Sequence, residues 1–272
     1  MLIYGKEIRE EIKRDVAQAA QQNHMSMVVI RVGDDKSSLS YVNGIKKFGD
    51  ETGVKVEIAN LSAGISPEEA IKYIGALNRD PGVNGIMLQT PLPAHLQTSE
   101  LVNAIDYHKD VEGIHNFNLG KLISKQAGIR PATPRAVISM LKHYHINIEG
   151  QKVCIVGRSA ILGSPLAMMM SSEDGTVTLC HSRTRNLRDE TRQADILVAA
   201  VGKANFITPD MVREESVIID VGINFDGNGK MLGDVHEEAR AKARIASAVP
   251  GGVGPITVAE LFDNLRIISQ NR

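Results

Sequence analysis

The chain has almost no cysteine, no surplus of charge of either sign and no long apolar run, and each lack excludes a class of protein. Cys154 and Cys180 are its 2 cysteines. With no CxxC and no second pair, neither a disulfide framework nor a thiolate metal site can be built, and both thiols read as small buried residues in strands. The 31 basic residues balance 32 acidic ones, for a net charge of -1. Nothing in that balance seeks a polyanion, so no nucleic acid partner is expected. Met1 to Asp15 mixes acids and bases without an apolar stretch, so neither a signal peptide nor a membrane span is expected, and the location expected is cytoplasmic. Metal ligands are also missing at useful spacing. His143 and His145 point to different sides of a helix, and His236-Glu237-Glu238 has no second ligand one turn away, so no metal is expected.

What is present is a regular alternation of strand and helix over 272 residues, 43% of them hydrophobic. The length suits two domains, and the alternation implies parallel sheets covered by helices, an α/β fold. A charged helix ends near Gln22. Met25 to Val32 is a strand, Gly33 to Lys36 a loop, Ser38 to Thr52 a helix stopped by Gly53, and Val54 to Leu61 the next strand. Ser66-Pro67-Glu68-Glu69 is a capping box with proline at the first helical position, followed by an apolar stripe of Ile71, Ile74 and Leu77. The strand from Val83 runs into Gln89-Thr90-Pro91-Leu92-Pro93. Ligands bind at the carboxyl ends of parallel strands, which puts Gln89 where chemistry would occur, although a loop glutamine can also be purely structural.

Thr133-Pro134 opens a helix to about His145 that bridges the halves. Beyond it, strands at Val153 to Val156, Thr176 to Cys180, Ile196 to Val201, Val217 to Val221 and Arg244 to Val249 are spaced as in a doubly wound nucleotide-binding domain. Asp226 to Gly229 reads as a hairpin turn. Pro250 to Pro255 reads as a rigid glycine loop, and Val258 to Ser269 as a last helix returning to the first domain.

The most informative stretch of this half is Lys152 to Pro165. A β-branched strand, a turn bounded by Gly157 and Gly163, and a helix behind it leave backbone N–H groups at a helix start, where they and the helix dipole can hold a pyrophosphate. The pattern is not G-x-G-x-x-G, and such turns also occur without a ligand. Cofactor choice follows from the next strand end. His181-Ser182-Arg183-Thr184 offers no acid for a ribose 2′-hydroxyl, whereas Arg183 and Arg158 suit a 2′-phosphate, so NADP is favoured over NAD.

Taken together, Ser38-x-x-Tyr41-Val42, Gln89-x-Pro91-Leu92-Pro93, Lys109-Asp110-Val111-x-Gly113, Thr133-Pro134, Gly157-Arg158-Ser159-x-x-x-Gly163-x-Pro165, Asp220-Val221-Gly222-Ile223-Asn224 and Pro250-Gly251-Gly252-Val253-Gly254-Pro255-x-Thr257 stand in one order. The chain resembles the bifunctional methylenetetrahydrofolate dehydrogenase/cyclohydrolase family over nearly its whole length. The resemblance implies a homodimer whose subunits have an amino-terminal folate domain, a Rossmann-type NADP domain and a cleft between them. It implies a folate domain of residues 1–118 plus 258–272 and an NADP domain of residues 119–257. It implies oxidation of 5,10-methylenetetrahydrofolate to the methenyl cation and hydrolysis of that cation to 10-formyltetrahydrofolate, within one-carbon metabolism.

For site residues, the resemblance implies a folate site of Tyr41, Gln89, Pro91, Leu92, Glu112, Pro250, Gly251, Gly252 and Val253. It implies a cofactor site of Gly157, Arg158, Ser159, Gly163, Ser182, Arg183, Ile223 and Thr257. Tyr41 and Gln89 carry catalysis in that reading, with a lysine four residues after the tyrosine partnered by the glutamine. Here that position is Ile45. Lys46 and Lys47 follow, but one helical step turns a side chain by about 100°, so neither replaces the amine by simple geometry. Glu112 stands where the family has aspartate, and Ala132 where it has cysteine. The dehydrogenase step is therefore expected to survive and the cyclohydrolase step to be weak or lost. Full bifunctionality through Lys46, a non-catalytic folate- or NADP-binding protein, and a shikimate-type NADP dehydrogenase are the alternatives.

Overall fold

The computed structural model describes residues 1–34 and 39–270, so the expected loop end at Lys36 and the Ser38 motif position lie outside the described residues. The chain divides into two compact units. One is Met1–Arg9 with Thr133–Thr257, the other Glu10–Ala132 with Val258–Arg272.

The second unit is a three-layer sandwich. Its strands β2 (Ser26–Val32), β3 (Lys55–Leu61) and β4 (Gly85–Leu88) form a parallel sheet in the order β3-β2-β4. β2 is apolar almost throughout because both faces of the central strand are covered. Met27 and Val29 point to one core, shared with Val16 and Ala19 of α1 (Lys6–Gln22), Val42, Ile45 and Phe48 of α2 (Leu39–Thr52), and Phe262 and Leu265 of α10 (Val253–Gln270). Val28 and Ile30 point to the other, shared with Ala70 and Ile74 of α3 (Pro67–Arg79) and Leu101 of α4 (Thr98–Ala104). The capping box at Ser66 forms as expected, with Glu69 N–H donating to the Ser66 hydroxyl at 3.2 Å. Ile71 departs from the expected stripe. It is exposed, and Ala70 takes the buried position one residue earlier. A short helix, α5 (Asn116–Ile123), follows the crossing from β4.

The first unit is the doubly wound sheet. Its strands are β1 (Leu2–Ile3), β5 (Lys152–Val156), β6 (Thr176–Cys180), β7 (Ile196–Ala199), β8 (Val217–Asp220) and β11 (Ile245–Ser247), in the order β1-β11-β8-β7-β5-β6 and with every pairing parallel. A small hairpin, β9 (Asn224–Phe225) with β10 (Met231–Leu232), carries the expected turn. The helices are α6 (Ala132–His143), α7 (Gly163–Ser172), α8 (Leu187–Arg192) and α9 (Glu237–Lys242).

Three expectations differ here, each for a local reason. The first nine residues belong with this sheet and not with the folate unit, because β1 adds to its edge through Leu2↔Ala246 and Ile3↔Ser247, and the division near 132/133 falls later than 118/119. α6 ends at His143 because His145 takes φ 52° and Ile146 N–H returns to the Leu141 carbonyl at 2.8 Å, a left-handed helix end. The loop expected at Pro250–Pro255 is already helix from Val253. Pro255 lies in the first turn of α10, where a missing N–H costs nothing.

Candidate active site

The three-stranded sheet starts at inner strand β2, and in the six-stranded sheet the winding that follows the edge strand β1 starts at inner strand β5, so each has a point where neighbouring connections diverge. In an open parallel sheet the crevice beyond the carboxyl ends of the strands at that point is where ligands bind. In the three-stranded sheet the point lies between β2 and β4. Gln89 closes it, its N–H donating to the Ile30 carbonyl at 2.8 Å. Its side chain is buried. Nε2 donates to the Thr90 carbonyl at 2.5 Å, while Oε1 is shielded from solvent with no hydrogen-bond partner among the described residues. A buried amide acceptor without a donor costs roughly 1–3 kcal/mol, which a ligand donor would recover. Past it the Thr90–Pro91 bond is cis, Pro91 is exposed, and Leu92 packs against the core of the α3 face.

Tyr41 and Glu112 converge on the same end of the sheet. Burial, and then the Glu112 charge, pushes the Tyr41 phenol well above its ordinary range. Glu112 keeps a little accessible surface, yet burial is the main reason its carboxyl is pushed up to about 8. The Asp110 charge adds to the rise and the Leu88 backbone N–H opposes it. Glu112 is placed by a clamp that the motif alone did not disclose. Buried Asp110 accepts from Gly113 N–H at 3.0 Å, His115 N–H at 2.8 Å and the Asn118 amide at 2.9 Å. Gly113 turns there at φ 71°, and a Cβ would sit 2.4 Å from the Arg130 carbonyl carbon, so no other residue fits. From α10, Asn264 Nδ2 donates to the carbonyls of Val111 at 2.8 Å and Arg130 at 2.9 Å, tying the two loops together.

Ile45, one turn after Tyr41, is 0% exposed and belongs to the α2 core with Val29, Phe48 and Met87. The lysines beside it face the other way. Lys46 is about half exposed and pairs with Asp50 at 2.5 Å, and Lys47, 75% exposed, lies 4.0 Å from Glu51. Both pairs have i,i+4 spacing on a solvated face.

In the six-stranded sheet the point of divergence lies between β5 and β7, and the Gly157–Gly163 turn occupies it. Gly157 adopts φ 128°, and a Cβ there would meet the Ala200 carbonyl oxygen at 2.1 Å; one on Gly163 would meet the Gly157 oxygen at 1.9 Å. The start of α7 has no side-chain cap; Ser164 N–H returns to the Ser159 carbonyl at 3.1 Å and Pro165 has no N–H, so in this first turn it is Gly163 N–H that is left to an external acceptor. Arg158 and Ser159 on the turn are exposed, as are Ser182 and Arg183 after β6. Arg185 extends the same exposed cationic loop, which a reading confined to the first residues after the strand overlooked. These residues fit a phosphorylated dinucleotide. Ile223, 55% exposed, follows the end of β8. Thr257 is more self-contained, its hydroxyl donating to the Val253 carbonyl within α10 at 3.3 Å. Pro250, Gly251, Gly252 and Val253 belong to this unit, not to that of Tyr41, Gln89 and Glu112. Gly5 N–H donates to the Gly251 carbonyl at 2.8 Å, and Gly252 and Val253 are buried.

Comparison with known proteins agrees with both halves. Residues 3–112 match the tetrahydrofolate dehydrogenase/cyclohydrolase catalytic domain, and residues 131–272 match the NAD(P)-binding domain of the same family. The chain is 67% identical over 270 residues to the bifunctional protein FolD 2 of Syntrophomonas wolfei, covering 99% of each chain. The crystal structure of the bifunctional FolD methylenetetrahydrofolate dehydrogenase/cyclohydrolase of Campylobacter jejuni superposes with a TM-score of 0.97 at 37% identity, over 100% of this chain and 99% of that one. The Trypanosoma brucei dehydrogenase-cyclohydrolase, solved with NADP cofactor and an inhibitor, superposes with a TM-score of 0.94 at 29% identity, over 100% and 97%. A folate catalytic unit and an NAD(P)-binding unit, matched end to end, place this chain in the tetrahydrofolate dehydrogenase/cyclohydrolase family.

Proposed function

We propose that the chain oxidises 5,10-methylenetetrahydrofolate to the 5,10-methenyl cation with NADP, and that hydrolysis of this cation to 10-formyltetrahydrofolate is strongly reduced. NADP, when bound, supplies a hydride acceptor. The protein's share of that step is positioning, because the cation left behind is shared between two nitrogens and no side chain has to move a proton. Gly157, Ser159 and the start of α7 receive the pyrophosphate, and Arg158 and Arg183 the 2′-phosphate. Tyr41 packs beside the pterin, the orphaned Gln89 Oε1 takes a donor from the ligand side, and Glu112 bonds the pterin edge. Pro91 and Leu92 bound the folate, and Ile223 and Thr257 the cofactor.

Hydrolysis is different in kind. Water must be activated beside a cationic carbon, and protons must then be moved, work that a tuned acid/base group accelerates by about 10² to 10⁴-fold. Position 45 offers only an aliphatic side chain sealed in the core, and this observation carries the reading. Lys46 is engaged with Asp50 on the solvated face, which disfavours its use as a substitute amine. A cytoplasmic homodimer is the assembly this reading carries by resemblance to the family. Both activities measured on one preparation test it. With NADP, methenyltetrahydrofolate accumulates, seen by its absorbance, and decays at close to the uncatalysed rate. Formation of 10-formyltetrahydrofolate without that accumulation overturns the reading.

A further inference from the structure

At the amino-terminal end of β4, the end opposite Gln89, the unit of the three-stranded sheet holds a cavity of about 980 Å³ that neither the folate nor the cofactor reading uses. Its charged lining is Arg79, Lys109, Lys121 and Arg130 against Asp80 and Asp106. Both acids are engaged within the wall. Asp80 accepts from Gly82 N–H at 2.8 Å, and Asp106 from His108 N–H at 2.9 Å and the His108 ring at 3.1 Å. Lys109 is buried and donates to the carbonyls of Leu77 at 2.8 Å and Asp80 at 2.7 Å, so it braces the wall.

Three cations remain: Arg79 is exposed, and Arg130 and Lys121 stand together. The Arg130 guanidinium bonds the Gln126 carbonyl through one nitrogen, while Nη1 is shielded from solvent with no partner among the described residues. Lys121 stands next to it, its ammonium 4.8 Å from the Phe117 ring centre. Gly128 lies between the two, since a Cβ there would meet Lys121 Cδ at 2.9 Å and Arg130 Nη1 at 3.5 Å. A guanidinium with one nitrogen shielded from water and idle favours an anion, and its planar fork suits phosphate oxygens. Tyr107, Ile129 and Ile267 give the same cavity an apolar side. The volume is that of a site for a ligand of drug or nucleotide size.

We propose that this cavity binds a phosphorylated organic anion of nucleotide size, its phosphate on Arg130 and Lys121 and its body against Tyr107 and Ile129, as an effector of the enzyme. The route to the active end is short. Asp106 to Lys109 line the cavity, the same segment runs beside β4 through the Ile86↔Asp110 bridge, and Glu112 is its far end. Only this coupling rests on the folate reading; the binding does not.

The test is calorimetric titration of adenosine monophosphate into protein saturated with NADP, so that the cofactor turn is occupied, with inorganic phosphate titrated in parallel. The expected result is one further site per chain that prefers the nucleotide to phosphate by at least ten-fold. It weakens about ten-fold or more in Arg130→Gln and in Lys121→Gln, and holds in Arg158→Gln. Lys121→Gln, at a partly exposed position, keeps the test decisive should Arg130→Gln fail to fold. Absence of the further site, indifference to both substitutions, equal binding of phosphate, or loss with Arg158→Gln overturns the proposal. An occupied site that leaves the KM for the folate substrate unchanged overturns the coupling alone.

Discussion

At the scale of single residues, Glu112 and Ile45 have consequences that solution measurements can read. Glu112 has its carboxyl raised to about 8 from 4.5 by burial and by Asp110. A group whose pKa is higher folded than unfolded holds its proton longer in the native state, so stability is full below about 4.5 and falls as pH rises through about 8. Glu112→Gln removes this contribution. Urea midpoints of the native protein should fall relative to those of the variant between pH 5 and 8, and parallel curves would contradict the burial argument. Ile45→Lys places an amine in an apolar core, where the charged form is disfavoured far more strongly than a neutral polar group would be. If the variant folds, burial lowers the amine's pKa toward the range useful for proton transfer, and methenyltetrahydrofolate hydrolysis should rise by about 10²-fold or more with the dehydrogenase rate little changed. The identity of position 45 was plain from the order of residues in the chain. That Lys46 turns away from the site was a geometric inference from helical spacing, and its ion pair with Asp50 on the solvated face, which that inference did not include, agrees with it.

At the scale of elements, α10 does more than close the chain. Asn264 satisfies the carbonyls of Val111 and Arg130 with one amide and is 0% exposed. Asn264→Ala leaves two buried acceptors without this donor, at about 1–3 kcal/mol each. The variant should lose about 2–5 kcal/mol in urea denaturation, and its KM for folate should rise more than its KM for NADP, since the loosened loop carries Glu112. Strand interiors, the Ser66 cap and the Gly157 turn were legible because periodicity, capping chemistry and glycine placement act locally. The start of α10 and the stripe of α3 were not. A proline in a first turn is compatible with either loop or helix, and which of the adjacent Ala70 and Ile71 is buried depends on how the helix docks on the sheet. The Asp110 clamp and the Asn264 bridge join positions 134 to 153 apart in sequence or hang on a turn, and neither has a short-range signature.

For the whole molecule, the β1 pairing puts the first residues of the chain on the edge of the sheet whose other strands come from its second half. No local pattern announces a two-residue strand, which explains why the expected division assigned these residues elsewhere. A ligand that binds only the folded state stabilises it by about 2.7 kcal/mol at one hundred times its Kd. NADP at that concentration should raise the protection of amides in β5, β6 and β7 by a comparable amount in native-state hydrogen exchange. In Arg183→Gln a higher NADP concentration should be needed for the same effect. NAD matching NADP in the unaltered protein would remove the argument from the arginines.

The sealed side chain at position 45 also bears on the direction of flow. In a bifunctional enzyme, hydrolysis drains the methenyl cation and draws the oxidation forward. On the proposed reading this chain lacks that drain, so its single redox step stays close to reversible. Net conversion then follows the ratio of NADP to NADPH and the supply of each folate, and the enzyme exchanges two oxidation levels of the one-carbon unit in whichever direction the surrounding pools dictate.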